Sequence, residues 1–212
     1  MPTSQSEWDE KHRLAAQEPA AEPAGILREL LPLVPAGPAL DLACGTGRNA
    51  LFLAESGRHV IAVDWSAAAL DILATRALEK KIAVRRIERL EAVKHPRGPG
   101  IELLQADLEK ITLPKESYDA IVCVRYLQRT LFPEICRALR PGGLLLYETY
   151  TEAQLEFEGG PRDPAHLLKT GELRDAFPEL CVLFFRELRA GQGIASLVAR
   201  KPSKQDDAQN GR

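Results

Sequence analysis

Two acids and two glycines stand close together in the first third of the chain, with types and spacing that suit ligand binding. Asp41 lies just ahead of a turn that contains Gly45 and Gly47, and Asp64 ends the next apolar run. Glycines let the backbone approach a ligand closely, because they lack a β-carbon and accept positive φ. A carboxylate at the end of the next strand can accept two hydrogen bonds from a ribose diol. The first hypothesis is therefore a nucleotide-like ligand.

Two kinds of ligand compete for this turn. Residues 45–50 fit the dinucleotide pattern G-x-G-x-x-G/A, which favours NAD. The Asp41 carboxylate argues against NAD, because it would repel the approaching pyrophosphate. S-adenosylmethionine (SAM) carries a positive amino group, a sulfonium and a ribose but no phosphate, so it suits an acidic turn. A turn or cap role is the structural alternative for Asp41, and the glycines together with Asp64 favour the ligand.

At these residues the chain resembles the class I SAM-dependent methyltransferases. The resemblance is carried by the runs Asp41-Leu42-Ala43-Cys44-Gly45-Thr46-Gly47-Arg48-Asn49 and Ala62-Val63-Asp64-Trp65-Ser66. It covers most of the chain, from about Trp8 to Lys201. Within that superfamily the chain is similar to the small bacterial branch that includes the tellurite-resistance methyltransferases.

The fold expected from this resemblance is α/β, with a Rossmann-like doubly wound sheet. Seven strands in the order 3-2-1-4-5-7-6 are implied, mostly parallel and finished by a C-terminal antiparallel hairpin. The apolar runs that predict these strands are 38–43, 59–64, 101–106, 118–124, 144–150, 180–188 and 194–201. A plain dinucleotide-binding domain needs no final hairpin, which is a second argument for SAM.

The predicted cofactor-binding residues lie on the turns that follow the first four strands. They are Asp41, Ala43, Gly45, Gly47, Asn49, Asp64, Trp65, Asp107, Leu108 and Val124. The resemblance implies that Asp41 and the glycine turn hold the methionine end and that Asp64 binds the ribose. It also implies that Asp107 accepts a hydrogen bond from the adenine amino group while Leu108 packs against the ring.

Methyl transfer from a sulfonium needs alignment more than acid–base chemistry, because the cofactor is already activated by its charge. A general base is needed only when the acceptor keeps its proton at working pH. The candidate acceptor-side residues are His12, Arg48, Arg125, Tyr126, Glu148 and Tyr150. Arg125 either neutralises an anionic acceptor or forms a structural ion pair, and Tyr126 is expected to pack near the cofactor. His12 is either a base, a lid residue or a solvated histidine.

Several other chemistries lack support. No Asn-Pro-Pro-Tyr run follows the fourth strand, which argues against the amide and nucleobase amino methylases that carry it. No His/Asp cluster has metal-ligand spacing, so no metal is expected. The scattered cysteines read as small buried hydrophobes; they are Cys44, Cys123, Cys136 and Cys181. A net charge of −2 gives no global attraction to nucleic acid or anionic membrane, and the absence of an apolar signal region favours the cytoplasm.

Length and composition predict one α/β domain in the 212 residues. An N-terminal segment over residues 1–24, partly ordered around Trp8, precedes a methyltransferase domain over 25–201, and a disordered tail follows over 202–212. Within the domain, residues 76–97 are rich in Lys and Arg, and Ile87 and Leu90 stand at helical spacing. This segment predicts a basic helical insertion over 76–100, either a solvated face or an RNA-binding patch without stacking aromatics.

The sequence therefore predicts an enzyme that transfers a methyl group from SAM to a small-molecule acceptor. The alternatives are an RNA-directed methyltransferase that uses residues 76–97, a SAM-binding regulator without catalysis and, less favoured, an NAD-dependent oxidoreductase. Oxyanions such as tellurite, thiols, small acids and amines all remain open as acceptors.

Overall fold

A computed structural model describes residues 4–16, 21–91 and 98–203. The strands are β1 (Ala39–Leu42), β2 (His59–Asp64), β3 (Val84–Ile87), β4 (Gly100–Gln105), β5 (Tyr118–Val124), β6 (Leu139–Tyr150), β7 (Cys181–Arg189) and β8 (Gly193–Arg200). The α-helices are α1 (Gln5–Ala15), α2 (Gly25–Leu30), α3 (Arg48–Glu55), α4 (Ala67–Glu79), α5 (Leu131–Ala138) and α6 (Glu172–Asp175). Short 3-10 turns occupy Leu31–Leu33, Glu152–Glu156 and Pro164–His166.

The strands form one eight-stranded sheet in the order β3-β4-β2-β1-β5-β6-β8-β7. All pairs from β3 to β6 are parallel, and β8 pairs antiparallel with both β6 and β7. Without β3, this order is the predicted 3-2-1-4-5-7-6, so the predicted fold class and the terminal hairpin are confirmed. The predicted number of seven strands is wrong by one.

The extra strand replaces part of the predicted basic helix. Helix α4 ends at Glu79, Lys81 takes the left-handed backbone conformation (φ 59°), and β3 then pairs with β4 at the edge of the sheet. The helical spacing of Ile87 and Leu90 was misleading, because β-branched side chains at Val84 and Ile87 fit a short edge strand better than a helix. Residues 92–97, which complete the predicted insertion, lie outside the described residues, as does most of the predicted disordered tail.

Two further elements carry local irregularities. Helix α6 is short, and Gly171 at φ 77° places a left-handed residue just before it. Residues 139–143 belong to β6, where the pairing with β5 shifts register between Tyr118 and Ala120. A bulge of this kind absorbs the extra residues without ending the strand.

Both faces of the sheet are covered, which is why β1 and β2 are buried along their whole length. Apolar side chains of α2, α3 and α4 pack on one face, and those of α5 and α6 pack on the other. Because β1, β2, β4 and β5 run parallel within this layered structure, the turns that follow them meet at one edge of the sheet. In the part of the chain that the structure describes, no helix has the length and apolar character needed to cross a membrane.

Candidate active site

A cavity of about 810 Å³ opens at the carboxyl ends of the parallel strands. Its wall is built from the turns after β1, β2, β4 and β5, from the end of β6, from α1 and from the loop after β6. The volume lies within the range of small-molecule sites, and this edge is where open α/β sheets bind ligands.

Most of the predicted cofactor-binding residues line this cavity. Those on the wall are Ala43, Gly45, Asn49, Asp64, Trp65, Asp107, Leu108 and Val124. They come from four different turns, so the fold brings together residues that are far apart in the sequence. Asp41 and Gly47 are not on the wall.

Gly47 lies behind the turn, where it packs against α4. A β-carbon at this position would stand 2.1 Å from Leu73 Cδ1, and the residue has a left-handed backbone with φ 85°. The predicted ligand contact of Gly47 is therefore not supported. Glycine is required here because the turn touches α4 and because α3 begins from this left-handed residue.

Asp41 is also one layer below the cavity surface. Its side chain is 1% exposed, and neither carboxyl oxygen has a hydrogen-bond partner among the described residues. Burial raises the pKa of Asp41 to about 7, and the nearby Arg48 guanidinium opposes that rise. The N–H of Ala50 lowers the pKa as well, although it does not reach hydrogen-bond geometry. The predicted direct contact with the methionine end is thus replaced by a buried carboxyl beneath the turn.

Asp64 connects the glycine turn to the start of α4. Its Oδ2 accepts a hydrogen bond from the Gly45 N–H at 2.7 Å, and its Oδ1 accepts one from the Ser66 N–H at 2.9 Å. Burial raises the pKa of this carboxyl, while the two N–H donors oppose the rise. A carboxylate has about four acceptor sites, so Asp64 keeps acceptor capacity on the cavity wall.

Asp107 forms a second acidic position on the same side of the cavity. It accepts hydrogen bonds from the Glu109 N–H at 3.0 Å and from Lys110 Nζ at 2.8 Å. The hydrogen bond from Lys110 lowers the pKa of Asp107, so this carboxyl stays ionised near neutrality. Leu108 follows it on the wall and supplies apolar surface.

Helix α1 covers the glycine turn from above. Asp9 Oδ1 accepts a hydrogen bond from Ser66 Oγ at 2.6 Å and one from the Ala68 N–H at 3.1 Å, which fastens α1 to the start of α4. The His12 ring consequently lies over the turn, and its Cε1 is 3.5 Å from the position of a β-carbon on Gly45. Burial lowers the pKa of His12, and the nearby Asp64 carboxylate opposes this. His12 is therefore a wall residue rather than a solvated one.

The sequence contained a usable signal for α1 that the prediction did not exploit. Ser4 and Glu7 form a capping box, in which the Ser4 hydroxyl accepts from the Glu7 N–H and the Glu7 carboxylate accepts from the Ser4 N–H. This pattern predicts a helix that begins at Gln5. The contact of Asp9 with α4, by contrast, has no sequence signal, because its partners are more than fifty residues away.

Two arginines and two tyrosines also line the cavity. Arg48, Arg125, Tyr126 and Tyr150 all line the wall. The Arg125 guanidinium lies 5.9 Å from the centroid of the Tyr150 ring. Burial and the neighbouring Arg125 charge lower the pKa of Arg48, and burial raises the pKa of Tyr126, which keeps that hydroxyl protonated. The predicted candidate Glu148 is not on the wall; its Oε2 accepts a hydrogen bond from Ser196 Oγ at 2.7 Å.

The loop after β6 adds residues to the cavity wall that were not predicted. Gly160, Pro161 and His166 reach the wall. Arg129 holds the loop, because its guanidinium donates to the carbonyls of Ala165 and Leu167 and pairs with Glu172 at 2.6 Å. In the sequence this loop is only a long polar stretch, and no spacing rule identifies which of its residues turn inward.

Comparisons with known proteins agree with this architecture. Residues 39–143 match a family model described as a methyltransferase domain. The trans-aconitate 2-methyltransferase of Azoarcus sp. (strain BH72) is 32% identical over 152 residues, which cover 68% of this chain and 50% of that protein. Together these comparisons support a class I SAM-dependent methyltransferase, a class whose cofactor is S-adenosylmethionine.

Solved structures show the same fold at low sequence identity. An SAM-dependent methyltransferase from Mesorhizobium loti has a TM-score of 0.62 and 20% identity, covering 83% of this chain and 96% of that one. TehB from Haemophilus influenzae has a TM-score of 0.67 and 17% identity, covering 92% of this chain and 67% of that one. The predicted similarity to the tellurite-resistance branch stays a prediction, because such identities show the fold alone. The chain spans about half the length of the curated relatives it matches.

Proposed function

We propose that the protein transfers a methyl group from SAM to a small-molecule acceptor, with both bound in the cavity at the carboxyl edge of the sheet. The observation that carries this proposal is that carboxylates and guanidinium groups line the same cavity. Asp64 ends β2 and Asp107 follows β4. Arg48 begins α3, and Arg125 directly follows β5. A cationic sulfonium cofactor suits the two acids, and an acceptor suits the two arginines.

The two acids and the glycine turn supply a contact for each part of SAM. Asp64 binds the ribose hydroxyls, Asp107 accepts from the adenine amino group, and Leu108 packs against the ring. The glycine turn and the free N–H groups at the start of α3 receive the methionine carboxylate. Asp41 acts from below the turn, where its unpartnered oxygens make the region favourable for the positive amino group.

The reaction needs positioning above all. The methyl carbon must face the acceptor atom in line with the carbon–sulfur bond, and holding two reactants in that geometry removes much of the entropic barrier. Helix α1 above the turn and the loop after β6 on the far side keep water from the reacting atoms. The related trans-aconitate 2-methyltransferase is named for a small acid, which supports a small molecule as the acceptor class.

The RNA-directed alternative has less support. Its basic segment is largely neutralised within the described residues: Lys80 pairs with Glu55, Arg85 with Glu102, Arg86 with Asp71 and Arg89 with Glu91. Paired side chains have less charge to offer to phosphates than free ones, and counterion release from phosphates is what gives nucleic-acid binding its affinity.

Calorimetric titration of SAM and NADH against the wild-type protein and Asp64→Ala tests the proposal. We expect SAM to bind and NADH not to bind. In Asp64→Ala the SAM affinity should fall about 10- to 100-fold, because hydrogen bonds to a charged group are worth about 1.5–3 kcal/mol.

The matched control for this experiment is Asp175→Ala, which removes an exposed carboxylate on α6. It should leave SAM affinity unchanged, and thermal melting should show that both variants are folded. Unchanged SAM affinity in Asp64→Ala, or tighter binding of NADH than of SAM, would overturn the proposal.

A further inference from the structure

Arg48 and Arg125 are two cations that face the same space without a carboxylate partner. Arg48 is the first residue of α3 and Arg125 directly follows β5, and both line the cavity. In the ranges 4–16, 21–91 and 98–203, neither guanidinium forms an ion pair, whereas Arg129 pairs with Glu172 and Arg140 with Asp119. The one side-chain hydrogen bond of Arg48 goes to the Glu22 carbonyl at 3.4 Å, which is long.

The carboxylates near these arginines stand behind them rather than in front. Glu148 is held by Ser196 and does not reach the wall, and Asp41 is buried under the turn. The surface that meets the cavity on this side is therefore positive. The half-buried Arg48 guanidinium and the exposed Arg125 guanidinium repel each other, so an anion placed between them would relieve that repulsion.

The position of Arg125 is fixed by the sheet. Its N–H donates to the Glu148 carbonyl at 2.7 Å, and its side chain lies beside the Tyr150 ring. A guanidinium fork held in this way matches the geometry of a carboxylate, which two parallel hydrogen bonds can grip.

We propose that Arg48 and Arg125 bind the carboxylate of a small organic acid and that this carboxylate is the methyl acceptor. The inference rests on the proposed function, since it requires SAM in the same cavity. In the reaction a carboxylate oxygen donates its lone pair to the methyl carbon, and an oxygen–carbon bond forms. The carbon–sulfur bond breaks, its electron pair stays on sulfur, and S-adenosylhomocysteine leaves with a neutral methyl ester as the other product.

A carboxylate acceptor has no proton to lose, so it needs no group on the wall as a base, His166 included. Burial raises the pKa of Tyr126 and of Cys44, so neither is a base near neutrality. His12 stands over the glycine turn on the cofactor side. A carboxylate needs no base, because it is already ionised at neutral pH. Its methylation also removes the charge that the arginines hold, which promotes release of the ester.

A binding experiment tests the anion site directly. The protein, saturated with S-adenosylhomocysteine, is titrated calorimetrically with succinate, succinamide, 1,4-diaminobutane and sodium sulfate. We expect succinate to bind, the amide and the amine not to bind, and sulfate to bind more weakly than succinate. Arg48→Gln and Arg125→Gln should each weaken succinate binding at least about tenfold, and Arg125→Lys should weaken it less.

The control is Arg89→Gln, which removes an exposed arginine outside the cavity and should change nothing. The affinity for S-adenosylhomocysteine should stay the same in all four variants. Equal binding of succinate and succinamide, or sulfate bound more tightly than succinate, would refute the carboxylate site. A loss of S-adenosylhomocysteine affinity as large as the loss for succinate would instead assign the arginines to the cofactor's carboxylate. If wild-type protein binds no S-adenosylhomocysteine, the proposed function falls as well.

A second readout tests the bond that forms. The enzyme is incubated with methyl-labelled SAM and a panel of small organic acids beside their amides, and the products are treated with alkali. Methyl esters release the label as volatile methanol. Label that appears only in alkali-stable products, or only in the amides, would overturn the ester step.

Discussion

At the scale of single residues, Gly47 and Gly45 look equivalent in the sequence and differ in the structure. Gly45 lies on the cavity wall beneath His12, with φ 55°. Gly47 faces α4 instead, where Leu73 occupies the space that a β-carbon would need. One glycine therefore leaves space at the cavity wall, and the other permits the close approach of a helix. Both requirements are met by glycine, so the sequence motif does not distinguish them.

The role of Gly47 predicts the cost of a methyl group at this position. Gly47→Ala should lower the free energy of unfolding by about 2–5 kcal/mol, because a left-handed alanine costs about 1–2 kcal/mol and overpacking against Leu73 adds about 1–3 kcal/mol. Gly57→Ala is the matched control, since Gly57 has φ 89° but no described atom within 4 Å of its β-carbon position. Urea unfolding should give only the backbone cost for that variant. Equal losses in the two variants would show that Leu73 does not constrain Gly47.

At the scale of elements, α1 has no fully buried residue, so few apolar contacts hold it in place. Its position depends on the two hydrogen bonds that Asp9 accepts at the start of α4. The same helix brings Trp8, Lys11 and His12 to the cavity. An element attached by so few contacts belongs to the low-stability part of a fold, which opens without global unfolding. Such opening would give the cofactor a way in.

Removal of the Asp9 contact should therefore free α1 without unfolding the domain. In Asp9→Ala we expect tryptic cleavage after Lys11 to accelerate about tenfold, because hydrogen bonds to a charged group are worth about 1.5 kcal/mol or more. SAM affinity should fall in the same variant while the melting temperature changes little. Glu10→Ala is the control, because Glu10 is 61% exposed and pairs with Arg13 inside the helix. Mass spectrometry of the fragments measures the rate of cleavage after Lys11. Equal rates in the two variants would contradict the role of Asp9.

At the scale of the whole molecule, the buried Asp41 carboxyl contributes to how global stability depends on pH. Its folded pKa of about 7 lies above the ordinary value of 3.8, with burial as the main cause. Arg48 and the Ala50 N–H lower this pKa, and the Asp64 carboxylate raises it further. The folded protein thus binds the Asp41 proton more tightly than the unfolded chain does. Its contribution to stability is then present at low pH, declines as pH rises from about 4 to about 7, and is constant above that.

Asp41→Asn should remove this pH dependence. Relative to wild type, the variant should gain about 2–4 kcal/mol of unfolding free energy between pH 4 and pH 8, whatever its stability at pH 4. Urea unfolding at several pH values measures the difference, and the exposed Asp175→Asn should show no comparable trend. A difference between Asp41→Asn and wild type that stays constant from pH 4 to pH 8 would contradict a raised folded pKa.

The sequence by itself determined the class of fold, the strand order apart from one edge strand, and several of the residues that line the cavity. These features depend on local patterns: apolar runs of strand length, glycines in a turn, and acids at strand ends, each readable within a few positions. Local patterns are insufficient where one pattern fits both a helix and a strand. In the basic segment, residues with helical spacing form the strand β3.

Only the tertiary structure decided which of these residues reach the cavity. The depth of Gly47 depends on how closely α4 packs against the first turn. The position of His12 depends on hydrogen bonds between Asp9 and a helix far along the chain. Arg48 and Arg125 line the same cavity because β1 and β5 are neighbours in the sheet, although the two strands are distant in sequence. Contacts between distant segments leave no spacing in the sequence, since their geometry comes from packing rather than from the local backbone.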